Sequence, residues 1–228
     1  MTMNEDILVT KSLYDDFSQP TASREFEVIV EEQSLFLNAG WLAELSPWFQ
    51  DYCYGETPRT RIHVDDIRYQ DMLEFFRCIF FCPMRKPLSM ANVDLVMRCA
   101  SRFEMRPVVA RCERFISHNA NTFERNNLFK VTCALSRCDP NSTTMSVLVD
   151  RLASIREEDL SSMNFDKMPG EVVADVYREK MRRRREATRS IFCPLSWIES
   201  IFRKKKPGHQ TTHLSQRGRS HHLDPNSP

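Results

Sequence analysis

The chain has 228 residues, 41% hydrophobic and 28% charged, an ordinary globular composition and length enough to bury roughly 70% of the unfolded surface. Its five glycines, Gly40, Gly55, Gly170, Gly208 and Gly218, stand too far apart for a phosphate-cradling loop, a dinucleotide fingerprint or a nucleophile elbow, all of which need glycines at short spacing. The formal charge of +1 is unevenly spread: residues 178–228 hold 13 Lys/Arg against 4 Asp/Glu (+9), the rest 19 against 27 (−8), so an acidic body carries a basic tail.

Along the body, Phe26, Val28 and Val30 alternate with Glu27 and Ile29, which predicts a strand with one strongly apolar face. A polar stretch at 31–34 and renewed alternation at 35–37 make a hairpin. Trp41, Leu42 and Leu45 mark a short helix. Ser46-Pro47 opens another, because serine caps free amides and proline at the first helical position loses no hydrogen bond. Gly55 is placed to end it. Thr60, Ile62 and Val64 alternate as a third strand. From Tyr69 the period turns helical: Met72, Phe75, Phe76 and Ile79 form one stripe that Pro83 stops. Ser89 is read as the cap of a helix with Val93, Val96, Met97, Ala100 and Phe103 inward, and Pro107 as the start of one with Val108, Cys112, Phe115 and Ile116 inward. Further stripes pass through Leu128, Val131 and Leu135, then Met145, Leu148, Val149 and Leu152. Pro169 opens a last helix carrying Val172, Val173, Val176 and Tyr177. Asp139-Pro140 and residues 161–164 are read as turns. The fold class is therefore α+β: a small three-stranded sheet packed with helices, then an all-helical C-terminal extension and a basic tail expected to be disordered.

No stretch approaches ~18 apolar residues, and the start MTMNEDILVT has neither a basic nor an apolar signal region. The eight cysteines form no CxxC pair and lie mostly inside apolar segments, as small hydrophobes in a reduced compartment do. The expected location is the cytoplasm or nucleus, with neither secretion nor a membrane span.

Residues 13–117 resemble a BTB/POZ domain, especially the form found in MATH–BTB proteins. The pieces that carry the resemblance are Leu13-Tyr14-Asp15-Asp16-Phe17, the strand after Glu25, and Trp41-Leu42-Ala43 with Ser46-Pro47-Trp48-Phe49. Asp66-Ile67 with Tyr69 and Met72 follow, then Pro87-Leu88, Asn92-Val93 and Ala100-Ser101-Arg102-Phe103. Three positions depart from the pattern: Asn38-Ala39 replace a histidine and a basic residue, Glu25 replaces aspartate, and Glu32 stands where the hairpin glycine is usual. No MATH domain, kelch repeat or zinc-finger pattern is read beside it. The resemblance implies a protein-interaction domain without catalysis, dimerising with itself or with other BTB proteins through Leu13, Tyr14, Phe17, Trp41 and Leu42. It implies a cullin contact, as in a ubiquitin-ligase adaptor, through Tyr54, Glu56, Tyr69 and Met105. The organisation expected is an N-terminal arm for dimer contact (1–22), the BTB/POZ domain (23–118), a helical extension (119–186), a basic-apolar segment (187–206) and a tail (207–228).

Chemistry is scarce. Only His63 and His118 fall in the body, and His63 stands outward beside Asp65 and Asp66, so no acid–base site, cofactor or metal centre is expected. The second signal is the tail. Arg182, Arg183, Arg184 and Arg185 precede an apolar stretch containing Trp197 and Ile198, and Arg203, Lys204, Lys205 and Lys206 follow it. Three readings stay open: docking on a protein groove, an anionic membrane surface, or a nuclear address. Specific nucleic-acid recognition is not expected, because no reading helix or stacking platform accompanies the charge.

Overall fold

The computed structural model describes residues 14–80 and 85–191. Pro83, Leu13, Trp197, Ile198, Arg203, Lys204, Lys205 and Lys206 lie outside the described residues, as does the tail from 207. The chain divides into two compact units, Met1–Arg183 and Arg184–Pro228; of the second, the described residues, 184–191, are helical.

The first unit begins with β1 (Phe26–Val30) and β2 (Gln33–Leu37), followed by α1 (Ala39–Leu45), α2 (Pro47–Tyr54) and β3 (Arg61–His63). The sheet order is β2-β1-β3: β1 runs antiparallel to β2, with Phe26 opposite Leu37, and parallel to β3, with Val28 opposite Ile62. Alternation is reproduced side chain by side chain: Phe26, Val28, Val30, Leu35, Leu37 and Ile62 are buried. β3 is shorter than the expected 60–64, yet ladder bonds reach both ends, from Glu27 N–H to Thr60 O (3.0 Å) and from Val64 N–H to Ile29 O (2.9 Å).

The hairpin puts Glu31 (φ 47) and Glu32 (φ 60) in the left-handed region. A two-residue turn of this kind fits the strand twist and favours Asn-Gly; glutamates there are strained. Glu31 has a compensating task. Its Oε2 accepts from the Tyr69 N–H at 3.0 Å, capping a helix whose own first flanking residue, Arg68, supplies no side-chain cap.

The helices continue as α3 (Tyr69–Ile79), α4 (Val93–Arg102), α5 (Arg106–Asn119), α6 (Arg125–Cys138), α7 (Thr143–Ala153), α8 (Glu157–Ser162) and, after a 3-10 turn at Phe165–Lys167, α9 (Gly170–Ile191). Two sequence expectations are corrected. Ser89 does not cap α4 with its side chain; it opens a turn in which its carbonyl accepts from Asn92 and Val93, and the Asn92 side chain returns the bond at 2.8 Å. Residues 161–162 are the end of α8 rather than a loop, a helix of six residues and too short to print a periodic stripe. The turn itself is at Asn164, with φ 54.

One hydrophobic cluster runs from Phe17 through the sheet and helices to Val176. The helical extension therefore shares the core of the sheet-bearing part. Helical residues extend past the boundary expected at 186. Val172 and Val176 bury the first half of α9, whereas Tyr177 and Met181 are exposed.

Candidate interaction surface

The corner between α1 and α2 organises the surface. Asn38 caps α1, its Oδ1 accepting from the Trp41 N–H at 2.8 Å. The departure from a histidine-basic pair thus has a local use. Ser46, fully buried, caps α2 by accepting from the Phe49 N–H at 3.0 Å and donates to Phe103 O at 2.5 Å. The Ser-Pro start was legible, but its second bond joins residues 57 apart and has no sequence signal.

Of the five residues expected to face a second copy, Tyr14 and Trp41 are half-buried and remain accessible. Trp41 shares an apolar niche with Leu37, Phe76, Ile79 and Phe80. Tyr14 lies under the Lys86 ammonium, 5.6 Å from its ring centre, and Lys86 in turn pairs with Glu74 of α3 at 2.7 Å. Phe17 and Leu42 are each 1% exposed, inside this chain's own core. Phe17 meets Phe80 edge-to-face at 5.1 Å and Phe76 at 6.4 Å, and its carbonyl accepts from Phe36 N–H at 2.7 Å. The segment from Tyr14 is also tied down by Asp15, which pairs with Arg24 at 2.7 Å and accepts Arg77 Nε on its carbonyl at 2.8 Å.

Of the four residues expected to touch a cullin, Tyr54 is 57% exposed and Glu56 is exposed. Gly55 between them ends α2 through its N–H to Asp51 O at 2.9 Å. Its φ of −68° suits any residue, but an added Cβ would lie 2.3 Å from that oxygen, so the close approach is what demands glycine. Tyr69 (9% exposed) and Met105 (0%) are buried in this chain's core. Sequence could not separate these, because both stand at the edge of apolar stripes.

In the first basic block, Arg182 pairs with Glu179 at 2.6 Å, while Arg183 engages both Glu179, at 3.0 Å, and Asp150. Bonds from Arg182, and then from Arg183, hold the Glu179 carboxyl below its ordinary pKa. Such exposed pairs contribute little stability. Arg184 and Arg185 are exposed.

No group of three metal-ligating side chains occurs among the described residues, and no described helix is long and apolar enough to cross a membrane. The described cysteines are free thiols. Burial pushes Cys53 and Cys78 up from 9.0 to about 11, and Cys99 and Cys112 to about 12. A raised thiol pKa means the folded state resists ionisation. Stability from these groups is therefore complete below pH 9 and lost as pH climbs through about 11 to 12. Native protein at pH 7.5 is expected to leave these four thiols unalkylated by iodoacetamide until denaturant is added; rapid modification of the folded chain at Cys99 or Cys112 contradicts the burial.

Comparison of the sequence with known proteins points to a family. A BTB/POZ domain model matches residues 17–120. The chain is 46% identical over 226 residues to Cytokinesis defective protein 7 of Caenorhabditis elegans, covering 91% of this chain and 85% of that protein. It is 26% identical over 106 residues to BTB and MATH domain-containing protein 38 of the same organism, covering 45% of this chain and 27% of that protein. The matched span begins at Phe17, the residue that the fold places in the core, and ends just past α5. The chain belongs to the family of BTB/POZ-domain proteins, and its BTB domain is a protein-interaction module.

Proposed function

We propose that the chain is a non-catalytic adaptor that self-associates through the surface around Tyr14 and Trp41, recruits a cullin through Tyr54 and Glu56, and works in cytokinesis. The observation that carries the reading is the BTB domain itself, joined by a common core to the helices that follow it. The cytokinesis assignment rests on the likeness to Cytokinesis defective protein 7, which extends along 91% of this chain.

Tyr14 and Trp41 offer aromatic area with few rotatable bonds, the kind of side chain that anchors protein interfaces. Tyr54 presents a similar anchor, and Glu56 beside it adds a charge that selects the partner's orientation. The test uses two differently tagged full-length copies expressed together with the N-terminal region of a cullin. Each tag is expected to retrieve the other copy and the cullin. Trp41→Asp should abolish retrieval of the other copy, and Tyr54→Ala with Glu56→Ala should abolish retrieval of the cullin alone. Failure of the wild-type chain to retrieve its own copy overturns self-association; failure to retrieve the cullin overturns the ligase reading.

A further inference from the structure

Residues 182–206 hold nine Lys/Arg against two Asp/Glu, whereas the rest of the chain holds 23 against 29. Two of the nine are already committed, Arg182 to Glu179 and Arg183 to Glu179 and Asp150. Arg184, Arg185 and Arg189 are exposed and form no ion pair among the described residues. They do nothing for the helix that carries them. Arg185 and Arg189 stand four apart, where like charges disfavour a helix.

The sequence that follows is ordered in a different way. Residues 194–202 read Pro-Leu-Ser-Trp-Ile-Glu-Ser-Ile-Phe. At about 100° per residue, Leu195, Trp197, Ile198, Ile201 and Phe202 fall within one arc of about 160°. Ser196, Glu199 and Ser200 fill the opposite side, so no apolar residue is out of place. Pro194 suits the first position of a helix, and Arg203, Lys204, Lys205 and Lys206 follow the last apolar residue at once. An apolar face is thus bracketed at both ends by cations.

We propose that residues 182–206 are a peripheral membrane-binding element for anionic lipid headgroups. The apolar arc enters the boundary between headgroups and acyl chains, with Trp197 at headgroup level, while the flanking arginines and lysines engage headgroup phosphates and carboxylates. Each half of the signal needs the other: charge alone is screened within a Debye length, and a short apolar arc alone does not distinguish one headgroup from another. A nuclear address or a nucleic-acid contact uses the cations and leaves the sorted apolar arc without a purpose. An apolar protein groove uses the arc and leaves the cations without one. The acidic remainder of the chain is repelled by the same headgroups, so attachment belongs to this element.

The test floats the full-length chain on a density gradient with vesicles of phosphatidylcholine, either alone or with about 30% phosphatidylserine. The chain should rise with the anionic vesicles and stay behind with the neutral ones. Trp197→Ser with Ile198→Ser and, separately, Lys204→Glu with Lys205→Glu should each lower the vesicle-bound fraction by about tenfold or more. Circular dichroism checks that both variants are folded; among the described residues the buried core cluster ends at Val176, well before either pair. Tyr54→Ala with Glu56→Ala should float as the wild type does, which keeps this outcome apart from the cullin reading. A wild-type chain that never floats, equal flotation with neutral vesicles, or a charge variant that floats unchanged overturns the proposal. So does an apolar variant that floats unchanged, because charge alone would then be at work, as a nuclear address or a nucleic-acid contact requires.

Discussion

Replacing Phe17 by alanine should cost about 3–5 kcal/mol of unfolding free energy, the range for removing a fully buried aromatic side chain. The side chain is 1% exposed and packs against Phe76 and Phe80, while the Arg24 guanidinium lies 5.5 Å over its ring. Its loss opens a void at the junction of α3 with the segment from Tyr14. That segment carries Asp15, which ties Arg24 and Arg77 to it. Chemical denaturation followed by circular dichroism checks this. Phe17→Leu should recover much of the loss, because it refills the void without restoring the ring contacts. If Phe17→Ala changes self-association but not stability, then Phe17 serves a second copy and its place in the core is wrong.

Asn92→Ala should cost about 2–4 kcal/mol, since it strips partners from buried polar groups. Asn92 is 4% exposed. Its Oδ1 accepts from Ser89 N–H at 2.8 Å, and its Nδ2 donates to Pro87 O at 3.2 Å and Glu74 Oε1 at 3.1 Å. Lys86 completes the group by pairing with Glu74 at 2.7 Å. Asn92→Asp separates the two roles of the side chain: it keeps an acceptor for Ser89 but sets a second carboxylate against Glu74. That variant should be markedly less stable than wild type at pH 7 and recover part of the difference at pH 4, where a proton shared between the carboxyls relieves their repulsion. A loss that is the same at both pH values contradicts the contact with Glu74.

Patterns confined to a few neighbouring residues were legible before the fold was known. Alternation fixed the inward faces of β1 and β2, Ser46-Pro47 marked the start of α2, and the stripe from Met72 to Ile79 gave α3. Glu32 stands where the family pattern has glycine, and its φ of 60° is the left-handed backbone that glycine favours. What stayed hidden depends on partners distant in sequence. Phe17 was assigned to a second copy by the resemblance alone; in the fold it packs on Phe76 and Phe80, some sixty positions on. Tyr69 and Met105 carried a resemblance to contact positions, and only packing shows that both are covered. The Ser46 bond to Phe103, the Asn92 cluster and the stack of Arg59 on Tyr52 are likewise tertiary products, since polar and aromatic residues at these spacings fit a solvated face equally well.

The proposed role depends on this chain meeting a copy of itself, and the mass in solution decides it. Size-exclusion chromatography with light scattering on the full-length chain should give twice the 26.8 kDa of one chain at micromolar concentration, and Trp41→Asp should return the mass to that of a single chain, with circular dichroism checking that the variant is still folded. A wild-type mass of 26.8 kDa at every concentration up to the solubility limit contradicts self-association and leaves the surface around Tyr14 and Trp41 without the partner proposed for it.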